Sequence, residues 1–390
     1  MLYFDHNATT FVAPEVAEVM AAAARDVYGN ASSVHASGQL ARQHLELSRR
    51  TIAEFLNASP PELVFTSGGT ESNNLAILGL VRSLPAGDKH VITSTIEHPA
   101  VLETCRQLEH EGANVTYVGP GATGIVDPDE IERNLRPSTV LISVMHANNE
   151  IGTIQPIAAL GALVRRRRQA GQHIYLHSDG VQAVGKIDVD IEELGGDLYS
   201  LTAHKIFGPK GIGALFVRKG TPLAGIQYGG RHERERRPGT ENVPGAMAFA
   251  RAIELCAANT TSLLVDLRNR FENEILHALP NVERNGAADR RLPNTSNLSF
   301  RRVSGEAMVI ALDMRGIATS TGSACSSGSI EPSPVLLAIG RTRDEARSSV
   351  RFSFGRYNTL QDVNALIEAV IASARQLHKP ATQEHRLVEV

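Results

Sequence analysis

The chain has 390 residues, 42% hydrophobic and 21% charged, with a formal net charge of −3 at pH 7. That length points to two or three domains around a sizeable core. The weak charge excludes a field that would gather nucleic acid or an anionic membrane, and with no bilayer-length apolar run and no charged-then-apolar leader the expectation is a soluble, cytoplasmic protein.

Residues 2–10 read as a short extended arm ending in a polar turn. Pro14 starts a helix with Val16, Val19, Met20 and Ala23 on one face, ended by Gly29-Asn30. A long helix follows from about Ser37, with Leu40, Leu47, Phe55 and Leu56 predicted as its apolar side. Residues 63–66 are strand-like, Ser67-Gly68-Gly69 is a tight turn, and Thr70 opens a helix continued by Leu75, Ile77, Leu78 and Leu80. Strand, glycine turn and helix start aim free backbone N–H groups and the positive helix end at an anion, usually a phosphate. Taken alone, the same stretch is equally a plain turn with Thr70 as helix cap.

The strand at 90–94 leads to His98, just before a helix. A lone histidine there is more often a helix-start or core residue, yet the end of a strand in an α/β sheet is where sites lie, so His98 is a candidate. Cys105, on the apolar side of that helix, reads as core. The buried strand at 140–144 delivers His146-Ala147-Asn148-Asn149-Glu150, a mass of polar residues that marks a site. The next helix ends in Arg165 to Arg168 before Gly171, cations that complement a helix C-terminus and need no nucleic acid. The strand at 174–176 carries Asp179 and Gln182 at its end. Asp179 either caps a turn or, beside an anion loop and a reactive lysine, holds a pyridinium nitrogen protonated. Strands alternating with helices imply a mainly parallel sheet covered on both faces.

Lys205 falls in a Gly- and Pro-fixed turn between strands at 197–201 and 212–217. A lysine held so loses hydration, deprotonates more easily and can form a Schiff base with a carbonyl compound, although a solvated surface lysine is the commoner case. Residues 229–242 form a charged, glycine-flanked loop. Helices at 244–258 and 262–279 follow, with Cys256 as core on the first and the domain boundary near their junction. The remainder is α+β in character, with strands at 294–300 and 349–354 and a helix opened by Thr359 and Asp362. The expected division is a large domain over 15–259 and a small one made of 1–14 and 260–390, with a polar, frayed tail from Lys379.

The three cysteines are odd in number and lack metal-type spacing, which argues against a disulfide framework or a zinc site. Cys325, amid small residues at 319–329, is predicted to be exposed and mobile and is the candidate nucleophile. Arg351, inside an apolar strand, needs an anionic partner: a substrate carboxylate, or a structural salt bridge.

Ten ordered motifs together closely resemble the pyridoxal-phosphate cysteine desulfurases of the NifS and IscS kind, in the class V aminotransferase superfamily. They are YFDHNATT from Tyr3, GNASSVH from Gly29, TSGGTESNN from Thr66, EHPAV from Glu97, HANNEIGTIQP from His146, SDGVQAVGK from Ser178, TAHKIFGPKGIG from Thr202, RRPGTEN from Arg236, GSACSSG from Gly322 and VRFSFGR from Val350. The resemblance implies the type I fold of pyridoxal-phosphate enzymes, an α/β large domain with a smaller α+β domain that includes the N-terminal arm. It implies pyridoxal 5'-phosphate held by Lys205 as a Schiff base, Asp179 on the pyridine nitrogen, and Gln182 and Asn148 around the ring and its hydroxyl, Asn148 also near the substrate. His98 would stack on the ring and take part in catalysis, and Gly69, Thr70, Thr202 and His204 would meet the phosphate. Thr240 would reach the phosphate of a neighbouring subunit, which implies a homodimer. Arg351 would clamp the carboxylate of L-cysteine and Cys325 would take its sulfur, leaving L-alanine and a persulfide for an acceptor protein such as an iron-sulfur scaffold. The alternatives are a selenocysteine lyase, an aminotransferase on the same fold, or a non-catalytic docking protein. Thr202 stands where the family usually has serine, and Arg231 where it usually has a third glycine.

Overall fold

The computed structural model describes residues 1–257, 261–322 and 331–378. Its largest element is a seven-stranded sheet in the order Leu63–Thr66, Gly213–Val217, Leu198–Thr202, Tyr175–Asp179, Thr139–Ser143, His90–Ser94, Asn114–Val118. Only Gly213–Val217 runs against its neighbours. Parallel strands are covered on both faces and so read as continuous apolar runs; Leu63–Thr66, His90–Ser94, Leu198–Thr202 and Gly213–Val217 are buried throughout. Successive side chains point to opposite faces. Val64, Val91, Leu141 and Leu215 thus meet helices Gly69–Ser83 and Pro99–His110, whereas Phe65, Tyr199 and Phe216 meet Pro14–Asp26, Ala36–Phe55 and Val243–Ala257.

Two expectations for the first helices are corrected. In Ala36–Phe55 the core face is Ala41, Leu45, Ser48, Arg49 and Ile52, while Leu40 and Leu47 are exposed. The face is turned by Arg49, whose guanidinium forms a two-pronged ion pair of 2.7 Å with the buried Glu233. The preceding helix ends at Asp26, before Gly29-Asn30. Gly29 is a contact point instead: a Cβ there would lie 2.1 Å from the Ser37 carbonyl oxygen. The arginine run behaves as the helix-end reading expects, with Arg166 and Arg167 on Glu132 and Arg168 on Asp197.

A second core forms around the antiparallel strands Ser349–Ser353, Thr295–Phe300 and Val282–Arg284, with Phe271, Phe300, Phe352 and Phe354 at its centre. Helices Thr261–Ala278, Gly305–Asp313 and Leu360–Leu377 cover it, the last opened by a Thr359–Asp362 capping box. The N-terminal arm belongs here: Leu2–Tyr3 pairs with Ile317–Ala318 and Phe4 is fully buried in this core. No described helix is long and apolar enough to cross a membrane.

Candidate active site

The strand ends Thr66, Ser94, Ser143, Asp179 and Thr202 share one edge of the large sheet, and a cleft of about 300 Å³ opens there, with Arg351 of the second core and Asn7 and Ala8 of the arm on its other side. Asp179 is the last residue of its strand and is buried. Its Oδ2 accepts from Asn73 Nδ2 at 2.7 Å and its Oδ1 from the Val181 amide at 3.0 Å. Gly180 is required next to it, because a Cβ would lie 2.0 Å from the Tyr199 ring. Lys205 ends the single turn Ala203–Lys205 that follows Leu198–Thr202, and its Nζ donates to the carbonyls of Asn7 and Ala8 at 2.6 Å each.

The glycine turn does more than reverse the chain. Gly68, at φ 156° and ψ −175°, occupies backbone space open to glycine, and no side chain caps the helix after it. A Cβ on Gly69 would lie 2.7 Å from Val181 Cγ2. Gly69, Thr70, Thr202 and His204 line the same cleft as the start of that helix, an arrangement that suits an anion. Thr202 Oγ1 donates to the Ile212 carbonyl at 3.2 Å, so the methyl group is accommodated with the hydroxyl in place. Burial, then the charges of Lys205, Lys210 and Lys186, push His204 down to about 4, so its ring is neutral. His98 lines the cleft as helix cap, its Nδ1 accepting from the Ala100 amide at 3.1 Å, which leaves the proton on Nε2. Burial, with Lys205 adding to it against Asp179, lowers its pKa as well.

Arg351 is 1% exposed and makes the structural salt bridge that one reading of it expects. Its Nη2 pairs with Asp5 Oδ1 at 2.6 Å and its Nη1 donates to the Asn149 carbonyl at 3.0 Å, while it also lines the cleft. Among the described residues its Nε has no hydrogen-bond partner. Gln182 lines the cleft and donates to the Asn7 carbonyl at 2.9 Å.

Two expected residues do not line this cleft, and for one of them, Thr240, the expected place is the cleft of a neighbouring subunit. Asn148 is fully buried: its Nδ2 donates to the Ile96 carbonyl, and its Oδ1 accepts from the Glu150 and Ile151 amides, which closes its own loop. Its neighbour Asn149 lines the cleft, and the Asn149 carbonyl accepts from Asn7 Nδ2 and Arg351 Nη1. Thr240 is exposed on the 229–242 loop, away from the cleft of its own chain. That loop is nonetheless tied to the glycine turn, since Arg237 Nε donates to Glu71 Oε1 at 2.9 Å and Glu71 Oε2 accepts from the Ser67 amide at 2.7 Å. Cys325 lies outside the described residues, and Gly322, three positions before it, lines the cleft.

Asn7, Asn73, Glu97 and Lys186 belong to the site or its support although residue type alone does not mark them out. Each carries a motif signal: Asn7 and Asn73 stand in YFDHNATT and TSGGTESNN, Glu97 precedes His98, and Lys186 is four residues after Gln182. Glu97 is buried, with Oε1 accepting from Ser94 Oγ at 2.5 Å and the Met145 amide at 3.0 Å; burial pushes its carboxyl up to about 8. No group of three His, Cys, Asp or Glu among the described residues could hold a metal.

An anion-binding helix start, a buried carboxylate, a neutral histidine and a lysine in one cleft fit pyridoxal phosphate, each meeting a different part of it. The Aminotransferase class-V family matches residues 2–366. The chain is 44% identical over 392 residues to a cysteine desulfurase IscS of Dictyoglomus turgidum, covering 99% of this chain and 98% of that protein. It is 42% identical over 391 residues to a cysteine desulfurase IscS of Methanosarcina thermophila, covering 99% and 95%. Among solved structures a NifS-like protein superposes with a TM-score of 0.90 at 34% identity, covering 96% of this chain and all of the other. SspA in complex with cysteine does so with a TM-score of 0.81 at 36% identity, covering 92% and 100%. With ten motifs in order, a type I fold and relatives that span its length, the chain belongs to the class-V aminotransferases, a pyridoxal-phosphate-dependent family, within its NifS- and IscS-type cysteine desulfurases.

Proposed function

We propose that this chain is a cysteine desulfurase that converts L-cysteine to L-alanine and hands the sulfur on from Cys325 as a persulfide. The observation that carries the reading is that Lys205, Asp179 and Arg351 share one cleft whose rim includes Gly322, just before Cys325 in the chain. Three extended residues span at most about 11 Å, so the thiol is within reach of that cleft.

The residues present would hold pyridoxal phosphate with Lys205 on its aldehyde carbon, Asp179 on its ring nitrogen, His98 on its ring face, and Gly69, Thr70, Thr202 and His204 at its phosphate. Bound there, the cofactor supplies an electron sink for the bonds at the substrate's Cα. Arg351 binds the substrate carboxylate through its planar fork, exchanging Asp5 for it. The amine of Lys205, released from its covalent role, takes the proton from Cα and returns it as alanine forms. The Cys325 thiolate attacks the substrate sulfur: the Cβ–S bond breaks, an S–S bond forms on Cys325, the substrate's S–H proton stays with the persulfide, and the proton given up by Cys325 goes to Cβ, which becomes the alanine methyl. No outside oxidant is needed.

The same reading includes a homodimer, supported by the exposed Leu40 and Leu47, seven residues apart on one helix face, and by the exposed Thr240 loop. An acceptor protein such as an iron-sulfur scaffold would then collect the sulfur.

The test is to supply L-cysteine without reductant, measure alanine, and ask by mass spectrometry whether Cys325 gains one sulfur. Cys325→Ala is expected to lose both signals. Unchanged alanine release from that variant would overturn the desulfurase reading in favour of an aminotransferase-like activity. Adding candidate scaffold proteins and following loss of the sulfur from Cys325 identifies the acceptor.

A further inference from the structure

Lys186 is a lysine where lysines are almost never found. It is 7% exposed, on the segment after Asp179, and among the described residues no carboxylate forms an ion pair with it. Its Nζ instead donates to two side-chain carbonyls, Asn7 Oδ1 at 3.1 Å and Gln182 Oε1 at closer range. Both acceptor residues line the active-site cleft, whereas Lys186 lies behind them in a small cavity bordered by His6, Lys205, Cys256 and Arg356.

The hydrogen bonds around these residues fix which way each amide points. The Asn7 backbone carbonyl can only accept, and it accepts from both Gln182 Nε2 at 2.9 Å and Lys205 Nζ at 2.6 Å. Gln182 therefore turns its nitrogen towards Asn7 and the cleft and its oxygen towards Lys186. Without Lys186 that oxygen is a buried acceptor with no donor, which frees the amide to rotate. Asn7 is less dependent, because its Oδ1 also accepts from Asn294 Nδ2 at 3.1 Å.

Resting on the pyridoxal-phosphate reading above, we propose that Lys186 is a positioning residue of the active site: it pins the Gln182 amide so that its N–H edge is a fixed donor for the ring oxygen of the bound cofactor. A donor on that oxygen draws off the electron density that would otherwise hold a proton on the adjacent Schiff-base nitrogen of Lys205. Burial, with the charges of Lys205 and Arg351, pushes the Lys186 ammonium well below its ordinary range. Whatever positive charge it retains acts in the same direction as the pinned donor. The other titratable or charged groups around the pair are His204, His6, Cys256 and Arg356, with His98 and Asp179 beyond Lys205.

The experiment is a pH titration of the visible cofactor absorbance of the holoenzyme, which reads the proton on the Lys205 Schiff base without turnover. Lys186→Met is expected to raise the midpoint by about one pH unit, the scale of one hydrogen bond to an anionic oxygen. Gln182→Leu is expected to raise it by a similar amount, and the double variant no further than Gln182→Leu alone. A midpoint unmoved in Lys186→Met that carries its cofactor, or shifts that simply add in the double variant, overturns the proposal. Should Lys186→Met fail to fold, Gln182→Leu decides: an unmoved midpoint means that no pinned donor exists there. A wild-type protein with no visible cofactor band sinks the pyridoxal-phosphate reading itself, an outcome separate from any of these.

Discussion

The two walls of the cleft are built differently. On the sheet side, Asp179 is held by Asn73 and the Val181 amide, Gly69 fits where no Cβ would, and Gln182 is tied at both ends of its amide. On the side of the second core, Arg351 is paired with Asp5, a partner that a substrate carboxylate would replace like for like under the proposed function. Under the proposed function the contrast teaches that a wall for a resident cofactor can be largely braced in advance, whereas a wall for a passing substrate must hold a contact it can give up.

The sharpest break of that comparison is on the sheet side. Lys205→Ala should lower alanine release by about 10⁴-fold, the upper end for a lost general base, while leaving the melting temperature near that of the wild type. A loss of fold instead would mean that the lysine is structural. On the other wall, Arg351→Lys keeps the charge and loses the fork. It should raise KM for L-cysteine by about tenfold to a hundredfold with kcat far less affected, and equal losses in both would show that the wall acts in the chemical step as well as in binding. Glu97, behind the sheet wall, offers a stability readout. Its folded pKa is raised to about 8 from 4.5 by burial, so its contribution is present below pH 4.5 and is lost as the pH rises through 8. Wild-type stability should therefore fall across that window relative to Glu97→Gln, by at most about 1.4 kcal/mol per pH unit, measured by chemical denaturation. The smallest effect belongs to Thr202→Ser. The hydroxyl that bonds the Ile212 carbonyl is kept, and cofactor affinity by equilibrium titration should change by less than about fivefold, since a lost methyl contact contributes under about 1 kcal/mol.

Much of the sheet wall was legible in the sequence, because parallel strands announce themselves as apolar runs and their ends deliver polar residues to one edge. Asp179, Lys205, His98 and Thr70 could be placed that way. Asn148 is marked by its motif alone, and that its side chain closes its own loop rests on the Glu150 and Ile151 amides, which residue type does not announce. The face of the long helix was misread for a related reason. Leu40 and Leu47 are apolar but exposed, while Arg49 is buried because of Glu233, a partner 184 residues away. Lys186 was passed over on the same ground: a lysine suggests the surface until the acceptors that surround it are known.

The N-terminal arm carries a consequence for how the molecule is made. Asp5 reaches Arg351 across 346 positions of sequence, and the Ser353 amide closes on the Phe4 carbonyl. At a synthesis rate of about 5–20 residues per second, the arm emerges roughly 20–70 s before its partners do. The large sheet can assemble meanwhile from strands that are all complete by Val217. The carbonyls that cradle Lys205 thus leave the ribosome well before the strand that fixes their arm, which makes closure of the cleft a late event in the life of each new chain.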